Sequence, residues 1–329
     1  MKKILMFDTS YGSQNMGDYI INESINREMS GLLDGNFVVR YSTHTPIQKT
    51  IQNIHLNPIS RYCRSADYKF LCGTNIFKTN LFKLSSDFNI GMFDIANYKN
   101  CIAIGCGSTV GSSNKINWYT RCIYKGILSK QYIHSARDER TKEMLEGLGL
   151  KALNTGCATM WMLTKSHCKK IPKAKADNVV FTLTDYSMDK ENDQLLINIL
   201  NKKYKNVYFW VQGSNDYEYF KTLKNTETIQ VVSPSLMSFE KILRAGNIDY
   251  IGTRLHAGIY SMQHLVRSII LAVDNRTRDI KHTYNIPTIE RAVIGSELEK
   301  VIDSSFSTDI KINEKNIATW KKQFIENHE

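Results

Sequence analysis

Asp249-Tyr-Ile-Gly-Thr-Arg-Leu-His-Ala-Gly258 is the stretch of sequence that most directly indicates the fold. An apolar run that reaches Ile251 predicts the end of a β-strand, Gly252 and Thr253 interrupt it, and a helical pattern begins at Leu255. Chains in which strands and helices alternate in this way form parallel sheets with right-handed crossovers. The stretch therefore predicts an α/β fold.

Arg254 and His256 lie where this strand passes into the helix. The unpaired N–H groups and aligned peptide dipoles of a helix N-terminus favour an anion, and a guanidinium adds a planar fork that matches carboxylate or phosphate. Histidine is the side chain that most readily exchanges a proton near neutral pH. The pair predicts an anion-binding site with a proton donor or acceptor beside it. The alternative is that Arg254 pairs with an acidic neighbour such as Asp249 and His256 caps the helix.

The composition is that of a globular protein with one large or two ordinary domains, since 42% of the 329 residues are hydrophobic and 23% are charged. A formal net charge of +11 favours anionic partners such as phosphorylated or carboxylated small molecules, a lipid headgroup surface or nucleic acid. The sequence has no long lysine and arginine run and no nucleic-acid-binding motif, so we expect no nucleic-acid partner. A basic surface that is simply solvated is the alternative.

The cysteines and apolar runs bear on the compartment. Seven cysteines without a C-x-x-C pair indicate free, buried thiols in a reducing environment rather than disulfides or a zinc site. The apolar run after Met1-Lys-Lys is too short for a signal peptide, and no run reaches the roughly 18 apolar residues of a membrane span. We therefore expect a cytoplasmic protein, whose positive charge is compatible with contact at the inner face of an anionic membrane.

The N-terminal stretch also reads as a strand that leads into a helix. Ile4-Leu-Met-Phe7 predicts a buried strand, a polar loop follows, and Asp18 is a suitable N-cap for a helix. Strand, small-residue loop and helix N-terminus are a common setting for an anionic ligand, although neither a dinucleotide-binding fingerprint nor a P-loop is present. Asn15 and Asp18 are therefore either ligand contacts or turn and cap residues.

Arg137 lies at a further predicted strand-to-helix junction. Tyr132-Ile-His-Ser-Ala136 predicts the strand, Asp138 the helix cap and Gly149 the helix end. This placement is the same as that of Arg254. His134, three residues before Arg137, is either a ligand contact or a residue packed at the strand end.

A basic segment without periodicity, from Lys165 to Asp177, predicts the boundary between two domains. We expect an N-terminal Rossmann-like domain over residues 1–165 and a C-terminal one over residues 166–314, with a last helix over 315–329 that packs back on the first domain. Two parallel-sheet domains predict that a ligand binds in a cleft between them, near the carboxyl ends of the strands.

Four pieces of the sequence resemble motifs of the polysaccharide pyruvyl transferase family. In chain order they are Asn15-Met-Gly-Asp18, Ala66-Asp67, Ala136-Arg-Asp-Glu139 and Gly252-Thr-Arg-Leu-His-Ala257. Arg-Leu-His-Ala after a strand is the most specific of them. The resemblance implies a two-domain arrangement similar to that of GT-B glycosyltransferases. It also implies transfer of pyruvate from phosphoenolpyruvate to two hydroxyls of a sugar, which forms a ketal and releases phosphate.

The chemistry of this reaction suits the residues in these motifs. The methylene carbon of phosphoenolpyruvate takes up a proton, a sugar hydroxyl attacks the central carbon and phosphate leaves, which requires an acid, a base and positive charge but no metal or cofactor. We expect His256 to be the acid or base, and Arg254 and Arg137 to hold the carboxylate and the phosphate in either order. The expected substrate-binding residues are Asn15, Gly17, Asp18, His134 and Thr253. The acceptor sugar, whether nucleotide-linked, lipid-linked or part of an oligosaccharide, stays open.

The sequence departs from the family pattern in two places. Thr155-Gly-Cys157-Ala stands where members usually carry an acidic residue, and Val266-Arg-Ser268 stands where a Gly-x-Pro turn is usual. Two other functions stay open, the first because it shares the two-domain architecture and the second because of these departures. A GT-B-like glycosyltransferase that uses a nucleotide sugar would release UDP rather than phosphate, and a non-catalytic protein that binds an anion or glycan would bind phosphoenolpyruvate without turnover.

Overall fold

The computed structural model describes residues 1–48, 52, 57–83, 87–109 and 115–325. The last four residues of the helix predicted over 315–329 therefore lie outside the described residues. The chain divides into two compact units. Unit 1 comprises Met1–Ser13, Ile21–Trp161 and Asn313–Glu329, and unit 2 comprises Gln14–Ile20 and Met162–Ile312. All paired strands run parallel, and the predicted α/β class is confirmed.

Unit 1 is built on a four-stranded parallel sheet of order β2-β1-β3-β4 and a two-stranded sheet of β5 and β6. Its strands are β1 (Lys3–Asp8), β2 (Phe37–Ser42), β3 (Tyr68–Cys72), β4 (Cys101–Ile104), β5 (His134–Ala136) and β6 (Ala152–Asn154). The helices as far as residue 161 are α1 (Met16–Glu28), α2 (Ser30–Leu33), α3 (Pro58–Ser65), α4 (Ile95–Tyr98), α5 (Trp118–Ile127) and α6 (Glu139–Gly147), with 3-10 turns at Met92–Asp94 and Ala158–Met160. Central strands β1 and β3 are buried because both faces of the sheet are covered, and the buried residues of β3 include Lys69.

Unit 2 is built on a six-stranded parallel sheet of order β12-β11-β10-β7-β8-β9. Its strands are β7 (Asn178–Thr182), β8 (Asn206–Trp210), β9 (Gln230–Val232), β10 (Ile248–Gly252), β11 (Ser268–Ala272) and β12 (Thr288–Glu290). Its helices are α7 (Lys165–Cys168), α8 (Lys190–Lys203), α9 (Asp216–Phe220), α10 (Leu236–Arg244), α11 (Leu255–Gln263), α12 (Asn275–Tyr284) and α13 (Ile294–Asp303), with 3-10 turns at Asp185–Ser187 and Arg291–Val293. The central position of β7 and β10 brings the loops after these strands next to each other.

Two short pieces of the chain belong to a different unit from their neighbours in sequence. Gln14–Ile20 belongs to unit 2, where Asn15 forms an antiparallel bridge with Gly213 and the N–H of Met16 donates to the carbonyl of Gln212 at 2.9 Å. The domain prediction places this segment in the N-terminal domain, since no local pattern reveals a partner almost 200 residues away.

The final helix, α14 (Glu314–Ile325), belongs to unit 1. Its Trp320 is completely buried, and the indole nitrogen donates to the carbonyl of Ile133 at 2.7 Å. Among the helices of the described residues, none is both long enough and apolar enough to cross a membrane.

Candidate active site

The predicted junction between strand and helix is confirmed in unit 2. β10 ends at Gly252, and α11 begins at Leu255 with Arg254 as its N-cap residue in an extended conformation. A Cβ at Gly252 would lie 2.7 Å from the backbone nitrogen of Thr182, so only glycine lets β10 approach β7 this closely at its end. Every residue of α11 is buried. The N-terminal turn of a rigid, central helix thus holds the side chains of the motif.

The guanidinium of Arg254 holds together the loops that follow β7 and β8. Its Nε donates to the carbonyl of Leu183 at 3.0 Å, and Nη2 donates to the carboxylates of Asp185, at 2.9 Å, and of Asp216. Asp216 is fully buried and also accepts the backbone N–H of Gly213 at 2.7 Å. Burial raises the pKa of Asp216, and the guanidinium of Arg254 opposes that shift.

This geometry corrects the expected role of Arg254 in two respects. Its carboxylate partners are Asp185 and Asp216, whereas Asp249 pairs with Arg267 at 2.8 Å and accepts from the hydroxyl of Tyr204. The planar fork is not open to a ligand, because Nε and Nη2 are used inside the protein. Nη1 makes no hydrogen bond with the residues that the structure describes.

His256 lies in the first turn of α11 against the segment Gln14–Ile20. A Cβ at Gly17 would lie 3.3 Å from Nδ1 of His256, 3.2 Å from Nε2 of Gln212 and 3.1 Å from Oδ1 of Asn15. Oδ1 of Asn15 accepts the N–H of Gly17 at 2.9 Å and Nε2 of Gln212 at 3.0 Å. The structure thus brings the predicted residues Asn15 and Gly17 next to His256, although they are more than 200 residues apart in sequence.

Asn15, rather than Asp18, occupies the cap position of α1. The helix begins at Met16, two residues earlier than a cap at Asp18 implies, and Oδ1 of Asn15 accepts the N–H of the second helical residue. The predicted cap at Asp18 is therefore wrong. Asp18 lies within the first turn, where a carboxylate is favourable to the helix dipole.

Thr253 is fixed at the end of β10. Its hydroxyl lies 2.8 Å from that of Thr184, and its N–H donates to the carbonyl of Thr182 at 3.2 Å. The side chain is almost fully buried, and its hydrogen bonds join the ends of β7 and β10. The expected substrate contact of Thr253 stays a prediction.

Arg137 is the corresponding arginine of unit 1. Its Nη2 donates to Oδ1 of Asn75 at 2.6 Å, and its guanidinium lies directly over Gly107, where any Cβ would overlap it. Asn75 follows β3 and Gly107 follows β4, so the side chain lies at the carboxyl ends of neighbouring parallel strands. This is the edge of a parallel sheet at which ligands bind.

His134 does not reach this edge. It is fully buried in β5, its Nδ1 accepts the N–H of Ala103 at 3.1 Å, and its Nε2 lies 2.9 Å from the carbonyl of Ser129. These two bonds require the neutral ring with its proton on Nε2, and burial lowers the pKa of His134 to about 4. The geometry supports the packing role rather than the expected ligand contact.

Sequence reasoning missed four residues of the site in unit 2. These residues surround Arg254 and the segment Gln14–Ile20, and they are Asp185, Gln212, Gly213 and Asp216. Asp185 follows β7, which lies beside β10 in the sheet. The other three residues follow β8, which is one strand further from β10. Polar residues directly after predicted parallel strands are the signal that would have drawn attention to them.

The second departure from the family pattern also has a structural role. Arg267 is buried and donates through Nη2 to the carbonyls of Val301, Ile302 and Ser304, while Nη1 pairs with Asp249. The turn before β11 is made by Leu265 at φ +60°, a left-handed conformation that glycine adopts more easily.

Comparison with solved structures defines the class of fold. Over 100% of both chains, the UDP-GlcNAc 2-epimerase of Methanocaldococcus jannaschii matches with a TM-score of 0.55 and 13% identity. The Staphylococcus aureus MnaA–UDP co-structure matches with a TM-score of 0.51 and 9% identity over 100% of this chain and 96% of the other. The UDP-GlcNAc 2-epimerase of Neisseria meningitidis bound to UDP-GlcNAc matches with a TM-score of 0.50 and 11% identity over 99% of each chain. The chain therefore has the α/β fold of the GT-B type.

The family model of polysaccharide pyruvyl transferase matches residues 15–275, which include Asn15, Arg137 and the junction between β10 and α11. The chain belongs to the polysaccharide pyruvyl transferase family. No curated protein sequence shows significant similarity to it.

Proposed function

We propose that the protein transfers pyruvate from phosphoenolpyruvate to two hydroxyls of one sugar in a cell-surface polysaccharide or its precursor. Family membership supports transfer of a pyruvyl group. The observation that carries the proposal is the arrangement of His256 beside Asn15 and Gly17, in the same helix turn as Arg254.

The proposed reaction conserves atoms and charge. One sugar hydroxyl adds to C2 of phosphoenolpyruvate while C3 takes up a proton and becomes a methyl group. The second hydroxyl then forms its bond to C2 as the C–O bond to phosphate breaks. Of the two hydroxyl protons, one is balanced by the proton gained at C3 and the other leaves with inorganic phosphate.

His256 is the proposed acid or base of this reaction. Its ring is buried at the first turn of α11, the end of the helix whose dipole favours an anion. Proton transfer by a positioned side chain typically contributes about 10²–10⁴-fold to the rate. Arg254, through Nη1, and Arg137 in unit 1 are the proposed contacts of the donor's carboxylate and phosphate.

Replacement of His256 tests this role. We expect His256→Asn to lower turnover by at least about 100-fold and to leave the melting temperature nearly unchanged, because asparagine fills similar space but does not titrate. His264→Asn is the matched control, since His264 follows the end of the same helix and its Nδ1 lies 2.9 Å from the carbonyl of Tyr260. Near-normal turnover in His256→Asn would remove His256 from the mechanism.

Phosphate release from phosphoenolpyruvate tests the function itself. The purified protein is incubated with phosphoenolpyruvate and a mixed extract of cell-envelope glycan precursors. Phosphate release that requires the extract supports the proposal. Release of UDP from a nucleotide sugar without consumption of phosphoenolpyruvate would support the glycosyltransferase, and saturable phosphoenolpyruvate binding without turnover on any fraction would support a binding protein.

A further inference from the structure

Unit 1 carries a group of large apolar side chains on its surface, most of them exposed, of which Tyr119 also packs against the core. Phe82, Met92, Phe93, Trp118 and Tyr119, which we term the aromatic patch, come from three separate segments of the chain. Trp118 is 69% exposed, Phe82 60% and Phe93 59%. Aromatic side chains are normally among the more buried residues of a folded protein.

Ring contacts and hydrogen bonds join two of the segments of the aromatic patch. Phe82 stacks on Tyr119 with ring centroids 4.0 Å apart, and the Trp118 ring system lies steeply inclined to both, at 67° to Phe82 and 81° to Tyr119. Hydrogen bonds hold the segment of Phe82 on the first turn of α5, from the N–H of Leu81 to the hydroxyl of Thr120 at 2.8 Å and from the N–H of Asn117 to the carbonyl of Thr79 at 3.2 Å.

The third segment is fixed against the same helix. A Cβ at Gly91 would lie 3.5 Å from the hydroxyl of Tyr119, and Met92 and Phe93 follow it directly. A Cβ at Gly126 of α5 would lie 3.0 Å from Ile95, just beyond Phe93. The segment that carries Met92 and Phe93 therefore packs closely against α5, which carries Trp118 and Tyr119.

The exposed charges in the segments that form the aromatic patch are mostly positive, since Asp94 is buried and Asp87 pairs with Lys78 at 2.7 Å. The stretch from Lys115 to Ile133 carries four basic residues, Lys115, Arg121, Lys125 and Lys130, and no acidic residue. All four are exposed, and exposed Lys83 follows Phe82 directly. Trp118, Arg121, Cys122 and Lys125 share one solvent-facing side of α5, at helical spacings of three and four residues.

We propose that the aromatic patch is where the protein binds the surface of an anionic membrane. Tryptophan and phenylalanine favour the boundary between headgroups and acyl chains, and lysine and arginine are attracted by anionic headgroups. The patch combines both properties on one fixed surface, which a purely hydrophobic protein interface does not require. This inference stands independently of the proposed reaction.

Tryptophan fluorescence reports directly on this surface. The chain has four tryptophans, of which Trp161, Trp210 and Trp320 are buried and Trp118 is exposed. Vesicles that contain phosphatidylglycerol should therefore shift the emission to the blue, and brominated acyl chains should quench only the Trp118 component. Phosphatidylcholine vesicles should do neither.

Variants test whether the aromatic patch is the surface that binds the vesicles. We expect Phe82→Ser to weaken partition onto phosphatidylglycerol vesicles at least about tenfold, because it removes a large apolar side chain from the bound surface. Trp118→Ser should do the same in a sedimentation assay. Lys83→Gln and Lys115→Gln should each weaken it by about fivefold, and raised salt should weaken all binding. The matched controls are Met237→Ser and Lys205→Gln, which alter exposed residues of unit 2.

Several results would overturn the proposal. Failure to bind phosphatidylglycerol vesicles at low salt is one, and binding that Phe82→Ser and Trp118→Ser leave intact is another. Quenching of Trp118 by oligosaccharide without a vesicle effect would assign the aromatic patch to the sugar acceptor. A dimer that Trp118→Ser dissociates would assign it to a second copy of the chain.

Discussion

Gly17 leaves the space that His256 needs. Its missing Cβ would press on Nδ1 of His256, Oδ1 of Asn15 and Nε2 of Gln212, all at 3.1–3.3 Å. We expect Gly17→Ala to lower kcat about ten- to hundredfold, since small displacements of a catalytic group cost this much. Alanine is favourable inside a helix, so the free energy of unfolding should change by less than about 1 kcal/mol.

Gly31→Ala is the control for that variant, measured by the same kinetics and urea unfolding. Gly31 lies in α2, and nothing approaches its Cβ position within 4 Å. The control should stabilise the chain by roughly 0.5–1 kcal/mol and leave kcat unchanged. Full activity in Gly17→Ala would show that His256 is not confined in the way the geometry indicates.

We expect the buried His134 to lower the free energy of unfolding in mild acid. Burial lowers its pKa from 6.5 to about 4, so below pH 6.5 the unfolded chain takes up a proton that the folded chain does not. The stabilising contribution is complete above pH 6.5 and is lost as the pH falls towards 4, on the order of 3 kcal/mol in total. Urea unfolding at several pH values should show a shallower dependence in His134→Asn. An unchanged slope would contradict the neutral, buried ring.

At the residue scale, the sequence predicted where Arg254 and His256 lie because that information is local. Because the strand ends at Gly252 and the helix begins at Leu255, Arg254 and His256 lie at the junction between the strand and the helix. The partners of Arg254 could not be predicted in the same way. Asp185 and Asp216 reach it only because β7, β8 and β10 are neighbours in the folded sheet.

At the scale of elements, Arg254 joins the loops after β7 and β8 through its ion pairs with Asp185 and Asp216. We expect Asp216→Ala to destabilise the protein by about 3–5 kcal/mol, because it leaves Arg254 with less compensation in a buried environment and removes the acceptor of the Gly213 N–H. Asp303→Ala, which breaks the exposed pair with Lys203, should cost less than about 1 kcal/mol. Equal losses of unfolding free energy in the two variants would contradict this assignment.

Most strands were predictable because parallel strands covered on both faces are rich in apolar residues, as β1 and β11 are. The start of α1 was not, because both Asn15 and Asp18 are good caps and the choice depends on Gln212, which also binds Asn15. The position of the Gln14–Ile20 segment in unit 2 follows from the same long-range contacts.

At the scale of the whole molecule, the C-terminal helix completes the core of unit 1. Trp320 of α14 is fully buried against Trp161 and Phe324, and Asn316 donates to the carbonyl of Asn154 at 2.8 Å. We expect Trp320→Ala to cost about 3–5 kcal/mol of unfolding free energy, as for other buried aromatic residues. Ile325→Ala, on an exposed side chain of the same helix, should cost less than about 0.5 kcal/mol. Similar values for both in urea unfolding would show that α14 adds little to the core.

Transfer of labelled pyruvate is the measurement that tests the central claim most directly. The protein is incubated with phosphoenolpyruvate labelled at C2 and with the glycan precursor extract, and label in the glycan fraction is compared with phosphate released. We expect one labelled ketal for each phosphate released, and loss of both in His256→Asn but not in His264→Asn. Phosphate release without label in any glycan, or label transfer that survives His256→Asn, would contradict the proposed function.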